Sequence, residues 1–256
     1  TYPRSAEDTT PGFVHELSRR LVGLGHEVVV LTPHLPDSAS EEVLDGVRVR
    51  RFRYCVEALE TLIGQGGIIS RLRERPLRLL LVPLLLVAFA VALLRVARRT
   101  RFDVVHAHWI IPQGLLAALL LPLLGGAQLV CTAHGGDLFA LRAPAFRTLR
   151  RLVITRSACV TVVSRYMRDV LVSEGVPTDR IRVASMGVDL QTQFVPVPEV
   201  PRAPGKVIFV GRLVEKKGVR HLLDAMRLVQ TTHPHAQLDI VGDGPERAAL
   251  EAQSVR

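Results

Sequence analysis

An α/β protein built on parallel sheets is what the sequence predicts, and three observations carry that prediction. Apolar runs such as "EVVVLT", "FDVVHAH", "AQLVCTAH" and "CVTVVS" alternate with stretches of helical period, the rhythm of parallel strands joined by crossover helices. Polar and glycine-rich residues gather just after those runs, where open parallel sheets bind ligands. The 256 residues are 48% hydrophobic, enough for one large or two modest packed domains.

The first unit is "GFVHELSRRLVGLGHEVVVLTP". Val14, Leu17, Leu21 and Leu24 lie near helical spacing, Gly25 suits the C-terminal cap, and "EVVVLT" is a buried strand. The strand expected ahead of this helix is absent. "TYPRSAEDTTPG" has no apolar core, so it is no signal peptide and reads as an entry partway into a gene. "EVLDGVRVRRFR" adds another strand signal. An uninterrupted apolar run from Leu79 to Leu94 follows, 16 residues that include Pro83. A bilayer span needs about 20 apolar residues. This run is therefore expected as a helix buried in the domain or lying on a membrane surface between Arg78 and Arg95, with a true span, Arg78 and Arg95 snorkelling, as the lesser alternative.

Strand and helix then alternate from "FDVVHAH" through "AQLVCTAH", "CVTVVS" and "RIRVASMGVDL", which predicts four parallel strands covered on both faces. "QTQFVPVPEVPRAPG", with four prolines, reads as a linker. A second α/β unit starts at "KVIFVG", continues through a helix from Gly218 and "AQLDIVGDG", and reaches a helix from Pro245. The expected division is residues 1–195, a linker at 196–205, and residues 206–256 as the start of a second domain.

Net charge is +9, carried almost wholly by arginine, since the only lysines are Lys206, Lys216 and Lys217. Such a balance suits nucleic acid, an anionic membrane or phosphorylated small molecules. Zinc-finger spacing and aromatic-basic RNA motifs are absent, and 5% aromatic residues offer few surfaces for base stacking, so nucleic acid is set aside. Cys55, Cys131 and Cys159 are odd in number and set in apolar surroundings, which points to reduced thiols in the cytosol.

Candidate chemistry sits at the strand ends. Arg212 and Lys217 bracket a turn whose helix begins near Gly218, where free backbone N–H groups add positive potential, a combination that suits a diphosphate. Gly242, Asp243 and Gly244 form a tight turn a ligand could approach closely. Neither G-x-G-x-x-G nor the Walker pattern is present, and the absence of any Asp-x-Asp pair argues against a donor held through a divalent metal. His106 and His108 lie two apart on a strand and share a side. With His134 and Asp137 they could ligate a metal, but histidines at strand ends are more often hydrogen-bonded core groups or substrate contacts. Ser164 reads as a helix N-cap, and no G-x-S-x-G nucleophile turn exists.

Seven collinear stretches, among them "GFVHELSRRLVGLGHEVVVLTP", "DVVHAHWIIPQGLLAALL", "TAHGGDLF", "CVTVVSRYMRDVL", "MGVDL", "FVGRLVEKKGVRHLLDAM" and "IVGDGPER", resemble the glycosyltransferase family 4 enzymes of GT-B fold. The resemblance covers nearly the whole chain. It implies two Rossmann-like doubly wound domains facing a cleft, an acceptor-side first domain and a nucleotide-sugar-binding second domain, here incomplete. It also implies retaining transfer from a nucleotide sugar to a glycan or lipid-linked acceptor, with no cofactor and no essential metal. Arg212 and Lys217 match the pair that neutralises the donor diphosphate. His134 matches the first-domain histidine near the transferred sugar, Gly135 and Gly136 allow backbone close to that sugar, and Gly242, Asp243 and Gly244 would lie along the donor. Thr9, Thr10 and Gly12 stand where the family has a Gly-Gly phosphate loop, and His106, His108 and Trp109 fall on the acceptor side.

Met186-Gly187 replaces the family's Asn-Gly, and its Glu-x7-Glu segment would lie past Arg256. The implied place is the cytoplasm, with peripheral contact at the inner membrane face through residues 77–97. Other readings are a GT-B-fold sugar-nucleotide epimerase, a metal hydrolase built on His106, His108 and His134, and a noncatalytic remnant that binds membrane or a partner. With the first strand and much of the second domain missing, exposed apolar edges are expected. Residues 1–256 expressed alone should therefore be poorly soluble, and a monodisperse, cooperatively unfolding sample in sedimentation and thermal melts would contradict this.

Overall fold

The computed structural model describes residues 2–5, 8, 12–63, 67–141, 143–199 and 202–255. The chain forms two compact units, Thr1–Gly187 and Val188–Arg256, and the proline-rich stretch lies within the second.

Unit 1 begins with helix α1 (Phe13–Gly23). Gly25 follows at φ +89°, and its N–H donates to Val22 O, the left-handed exit that glycine makes at low cost. Strand β1 (Val29–Pro33) runs parallel to β3 (Val47–Phe52), with β2 (Glu41–Leu44) antiparallel on the other side of β3. The segment read from sequence as one more strand is thus a hairpin. Asp45 (φ 47°) and Gly46 (φ 79°) supply the two positive-φ positions of its two-residue turn.

Helix α2 (Gly67–Glu74) leads through a turn at Pro76–Leu80 into α3 (Leu81–Arg99). The expected alternation follows: β4 (Val104–His108), α4 (Leu115–Leu120), β5 (Gln128–Ala133), the short α5 (Gly136–Phe139), α6 (Pro144–Arg156), β6 (Cys159–Val162), α7 (Arg165–Ser173) and β7 (Ile181–Val183). The four strands form one all-parallel sheet in the order β4-β5-β6-β7. Ser164 caps α7, its Oγ accepting from Met167 N–H at 3.3 Å.

The core explains why these runs are apolar. Leu129, Cys131 and Ala133 from β5 and Val160 and Val162 from β6 are buried, and α4, α6 and α7 close over them with Ala117, Ala118, Val153, Ile154, Met167 and Leu171. Each fully buried aliphatic side chain contributes about 1.5–3 kcal/mol. Helix α3 joins a neighbouring cluster on one face only, where Leu85 is buried and Phe89 stacks on Phe52 with ring centroids 5.4 Å apart.

A buried ion pair locks α6 to the end of α7. Arg150, 1% exposed, donates from Nε to Glu174 Oε2 at 3.1 Å and from NH1 to Leu141 O at 2.9 Å.

Unit 2 is smaller. Strand β8 (Lys206–Val210) runs parallel to β9 (Gln237–Val241), with α8 (Val219–Thr232) between them in sequence and α9 (Arg247–Ser254) after. Leu213, Val219 and Leu250 form its core with Phe209, Leu223 and Ile240. Ile208, Val210 and Val241, on the other sheet face by strand alternation, are exposed.

Removing Arg150 strands the Glu174 carboxylate and opens a hole beside α6. The Arg150→Ala variant should lose about 3 kcal/mol in chemical denaturation, and a loss below about 1 kcal/mol would show that the pair is dispensable.

Candidate active site

The β4–β5 ladder builds the first cluster. His106 pairs in register with Val130 and His108 with Thr132, so the two histidines project to one side and their rings stack at 4.4 Å. Two residues past Thr132 the chain brings His134 alongside. His108 Nδ1 and His134 Nε2 lie 3.0 Å apart and share one hydrogen. His106 Nε2 is 2.7 Å from Thr132 Oγ1, which is in turn 2.6 Å from Thr161 Oγ1. Phe13, at the start of α1, and Trp109 enclose the His134 ring, with centroids 5.1 and 4.9 Å away.

Asp137 holds this arrangement. Its carboxylate, 2% exposed, accepts from Ile110 N–H at 2.8 Å, Gly135 N–H at 3.1 Å and His134 N–H at 3.2 Å. Burial pushes its pKa up, and the backbone donors work against that shift. Trp109 sits at φ +73°, costly for a bulky residue, with its N–H donated to Thr132 O at 2.7 Å.

Gly135 needs its φ of +94°, and the position a side chain would take at Gly136 is open space. Gly12 sits at the N-terminus of α1, and the Phe13–His134 contact puts that helix start beside the cluster. Thr9 and Thr10 lie outside the described residues. Sequence reasoning named Asp137 only as a metal candidate. An acidic residue in the first turn of a helix after Gly-Gly was the available signal for its anchoring role.

The three histidine rings stack, and their bonded nitrogens are committed to Thr132 and to one another. Among the described residues no group of three or more His, Cys, Asp or Glu converges on a metal position.

Burial lowers the pKa of His108 to about 3 and that of His134 to about 4, with neighbouring histidines adding to both shifts. Both rings are neutral at pH 7.

In unit 2, Arg212 and Lys217 stand at the C-terminal end of β8, before α8. Both are exposed, and neither side chain has an ion pair or hydrogen bond among the described residues. Gly218 caps α8 at φ +67°. Gly242 and Gly244 pack backbone against backbone. A Cβ on Gly242 would lie 1.9 Å from Gly211 O, and one on Gly244 2.2 Å from Leu213 O. They let the turn after β9 hydrogen-bond to the turn after β8, where Leu213 N–H donates to Asp243 O at 2.9 Å. Asp243 is exposed, with Oδ1 accepting from Gly244 N–H at 2.8 Å. The structure therefore groups Gly12, His106, His108, Trp109, His134, Gly135 and Gly136 in unit 1, and Arg212, Lys217, Gly242, Asp243 and Gly244 in unit 2.

Because the unfolded chain binds more protons at His108 and His134 between about pH 4 and 6.5, stability falls on acidification through that window. A His108→Asn/His134→Asn variant should lose Tm less steeply than the parent from pH 6.5 to 4, and parallel slopes would contradict the shifted values.

Comparison with known proteins completes the picture. Residues 13–192 match the family model for Glycosyltransferase Family 4, and residues 192–255 that for Glycosyl transferases group 1. Glycogen synthase of Mycobacterium tuberculosis is 25% identical over 94% of this chain and 59% of its own length. N-acetyl-alpha-D-glucosaminyl L-malate synthase of Bacillus anthracis is 25% identical over 90% of this chain and 57% of its own. The chain thus spans somewhat over half the length of these relatives. The catalytic domain of starch synthase IV from Arabidopsis thaliana, solved with ADP and acarbose, superposes with a TM-score of 0.62 at 16% identity, covering 98% of this chain and 69% of that domain. That likeness shows the fold, that of the GT-B glycosyltransferases.

Proposed function

The chain belongs to glycosyltransferase family 4, and on that premise we propose that it carries the acceptor-side unit and the start of the donor-binding unit of a retaining enzyme. In this reading a sugar passes from a nucleoside diphosphate sugar to a glycan or lipid-linked acceptor. The observation that carries the reading is the exposed Arg212 and Lys217, without ion partners among the described residues, at the end of β8.

As the bond from the anomeric carbon to the diphosphate breaks, its electron pair leaves with the diphosphate. A bidentate guanidinium and a mobile ammonium meet that growing charge, the work a divalent cation does where Asp-x-Asp holds one. An acceptor hydroxyl then bonds to the same face of the sugar, and its proton goes to a phosphate oxygen. No cofactor enters this scheme. His134, neutral at pH 7 with Nε2 engaged by His108, offers Nδ1 to a sugar hydroxyl. Gly135 and Gly136 leave room for the sugar, Gly12 at the start of α1 faces phosphate, and His106, His108 and Trp109 serve the acceptor side.

The relatives' names do not choose the acceptor, since one makes glycogen and another a glucosaminyl malate. The apolar α3 favours a lipid-linked sugar at the cytoplasmic face of a membrane.

In the full-length protein, Arg212→Ala and Lys217→Ala should each lower kcat by about 100-fold and weaken nucleoside diphosphate binding in calorimetric titration. The unfolding midpoint should not move, because both side chains are exposed. Unchanged turnover in both variants would overturn the assignment. Retention is read from the anomeric configuration of the first product.

A further inference from the structure

We propose that the outward face of α3, with an arginine-rimmed groove beside it, docks unit 1 onto an anionic lipid bilayer. A helix on the surface of a soluble domain normally carries polar residues on its outer side, and α3 does not. Leu80, Leu84, Val87 and Val91 recur at spacings of 4, 3 and 4 and are 74, 49, 62 and 40% exposed, and Leu77 prolongs the row at 82%. The opposite face is buried through Leu85, Val96 and the Phe89–Phe52 stack. Lipid cannot surround the helix while that face stays in the core, so the helix lies on the bilayer rather than crossing it.

Charge identifies the occupant. Between Glu74 and Asp103 the sequence has no acidic residue and six arginines, Arg75, Arg78, Arg95, Arg98, Arg99 and Arg101. Arg78 pairs with Glu74 at 3.1 Å, and the other five form no ion pair among the described residues. A groove of about 460 Å³ opens beside the C-terminal half of α3. Its lining includes the apolar Phe52, Ala92 and Val96, one carboxylate, Glu41, and five arginines, Arg50, Arg51, Arg53, Arg95 and Arg99. The three strand-borne arginines are partly satisfied, Arg50 by Glu41, Arg51 by Glu42 and Arg53 by Glu57. Arg95 and Arg99 remain for lipid phosphates.

Val91 belongs both to the exposed row and to the groove lining, so the groove opens onto the face that meets lipid. A second copy of the chain fits less well. Parallel pairing of two α3 helices sets Arg95, Arg98 and Arg99 against their own copies, and antiparallel pairing sets them against Arg75, where the one adjacent acid, Glu74, already pairs with Arg78.

The proposal does not rest on sugar transfer, and binding and transfer are measured separately. The full-length protein is floated with vesicles of phosphatidylcholine alone and of phosphatidylcholine with phosphatidylglycerol at 0.1 M salt, and its oligomeric state is followed by sedimentation without lipid. Binding only to the phosphatidylglycerol vesicles is expected, weakening as salt rises. Arg95→Gln/Arg99→Gln should weaken it about 30-fold, and Leu80→Ser/Leu84→Ser/Val87→Ser should abolish it without shifting the unfolding midpoint, because those side chains lie outside the core. Absence of binding, binding that survives in both variants, or a lipid-independent dimer broken by the serine variant would each overturn the proposal.

Discussion

One buried carboxylate organises the first unit's site. Asp137 takes N–H groups from Ile110, His134 and Gly135, so the segment after β4 and the segment after β5 are tied to the same two oxygens. Without it those backbone donors would be buried and unpaired, each at a cost of about 1–3 kcal/mol. The positive φ of Trp109, the contact of Trp109 with His134 and the shared hydrogen of His108 and His134 all lie within the two segments so tied. Backbone hydrogen bonding therefore holds the site, and desolvation, together with the neighbouring histidines, keeps the half-buried His108 and His134 neutral at pH 7 and able to make hydrogen bonds.

Unit 2 solves a related problem differently. Its two strand-end turns lie so close that only glycine fits at 242 and 244, and the contact partners are carbonyl oxygens of Gly211 and Leu213. The backbone on either side of Arg212 is thereby fixed while the side chain stays free in solvent. Among the described residues that guanidinium has no ion partner, so no existing pair must break when an anion arrives, although the exposed side chain must still be ordered.

The four parallel strands were legible because apolar runs alternate with helical stretches, but the expected cover on both faces is not complete: Val104 and His106 of β4 and Arg182 and Val183 of β7 are exposed. The Ser164 cap and the Gly25 exit were equally plain, each following from local chemistry within a few residues. The hairpin at Asp45-Gly46 went unread although its signal was local: Asp-Gly supplies both positive-φ positions, and Val47 and Val49 alternate with Arg48 and Arg50 as a strand with one buried face requires. In the site, the shared side of His106 and His108 followed from strand period. The approach of His134 needed the β4–β5 register. Asp137 was named for its acidity, but its partners are backbone groups, one of them 27 residues earlier, and no residue type marks them.

Helix α3 shows where the boundary lies. Its apolar length and arginine flanks are written in the chain, whereas the choice of Leu85 and Val96 for the core and of Leu84 and Val87 for the outside is not. Period and composition act over a few residues and so settle element type, caps and the αβ rhythm. Register, burial and the reason a glycine is needed arise from contacts between residues far apart in sequence. Only the packed structure decides those, because each depends on which atoms the rest of the chain brings alongside.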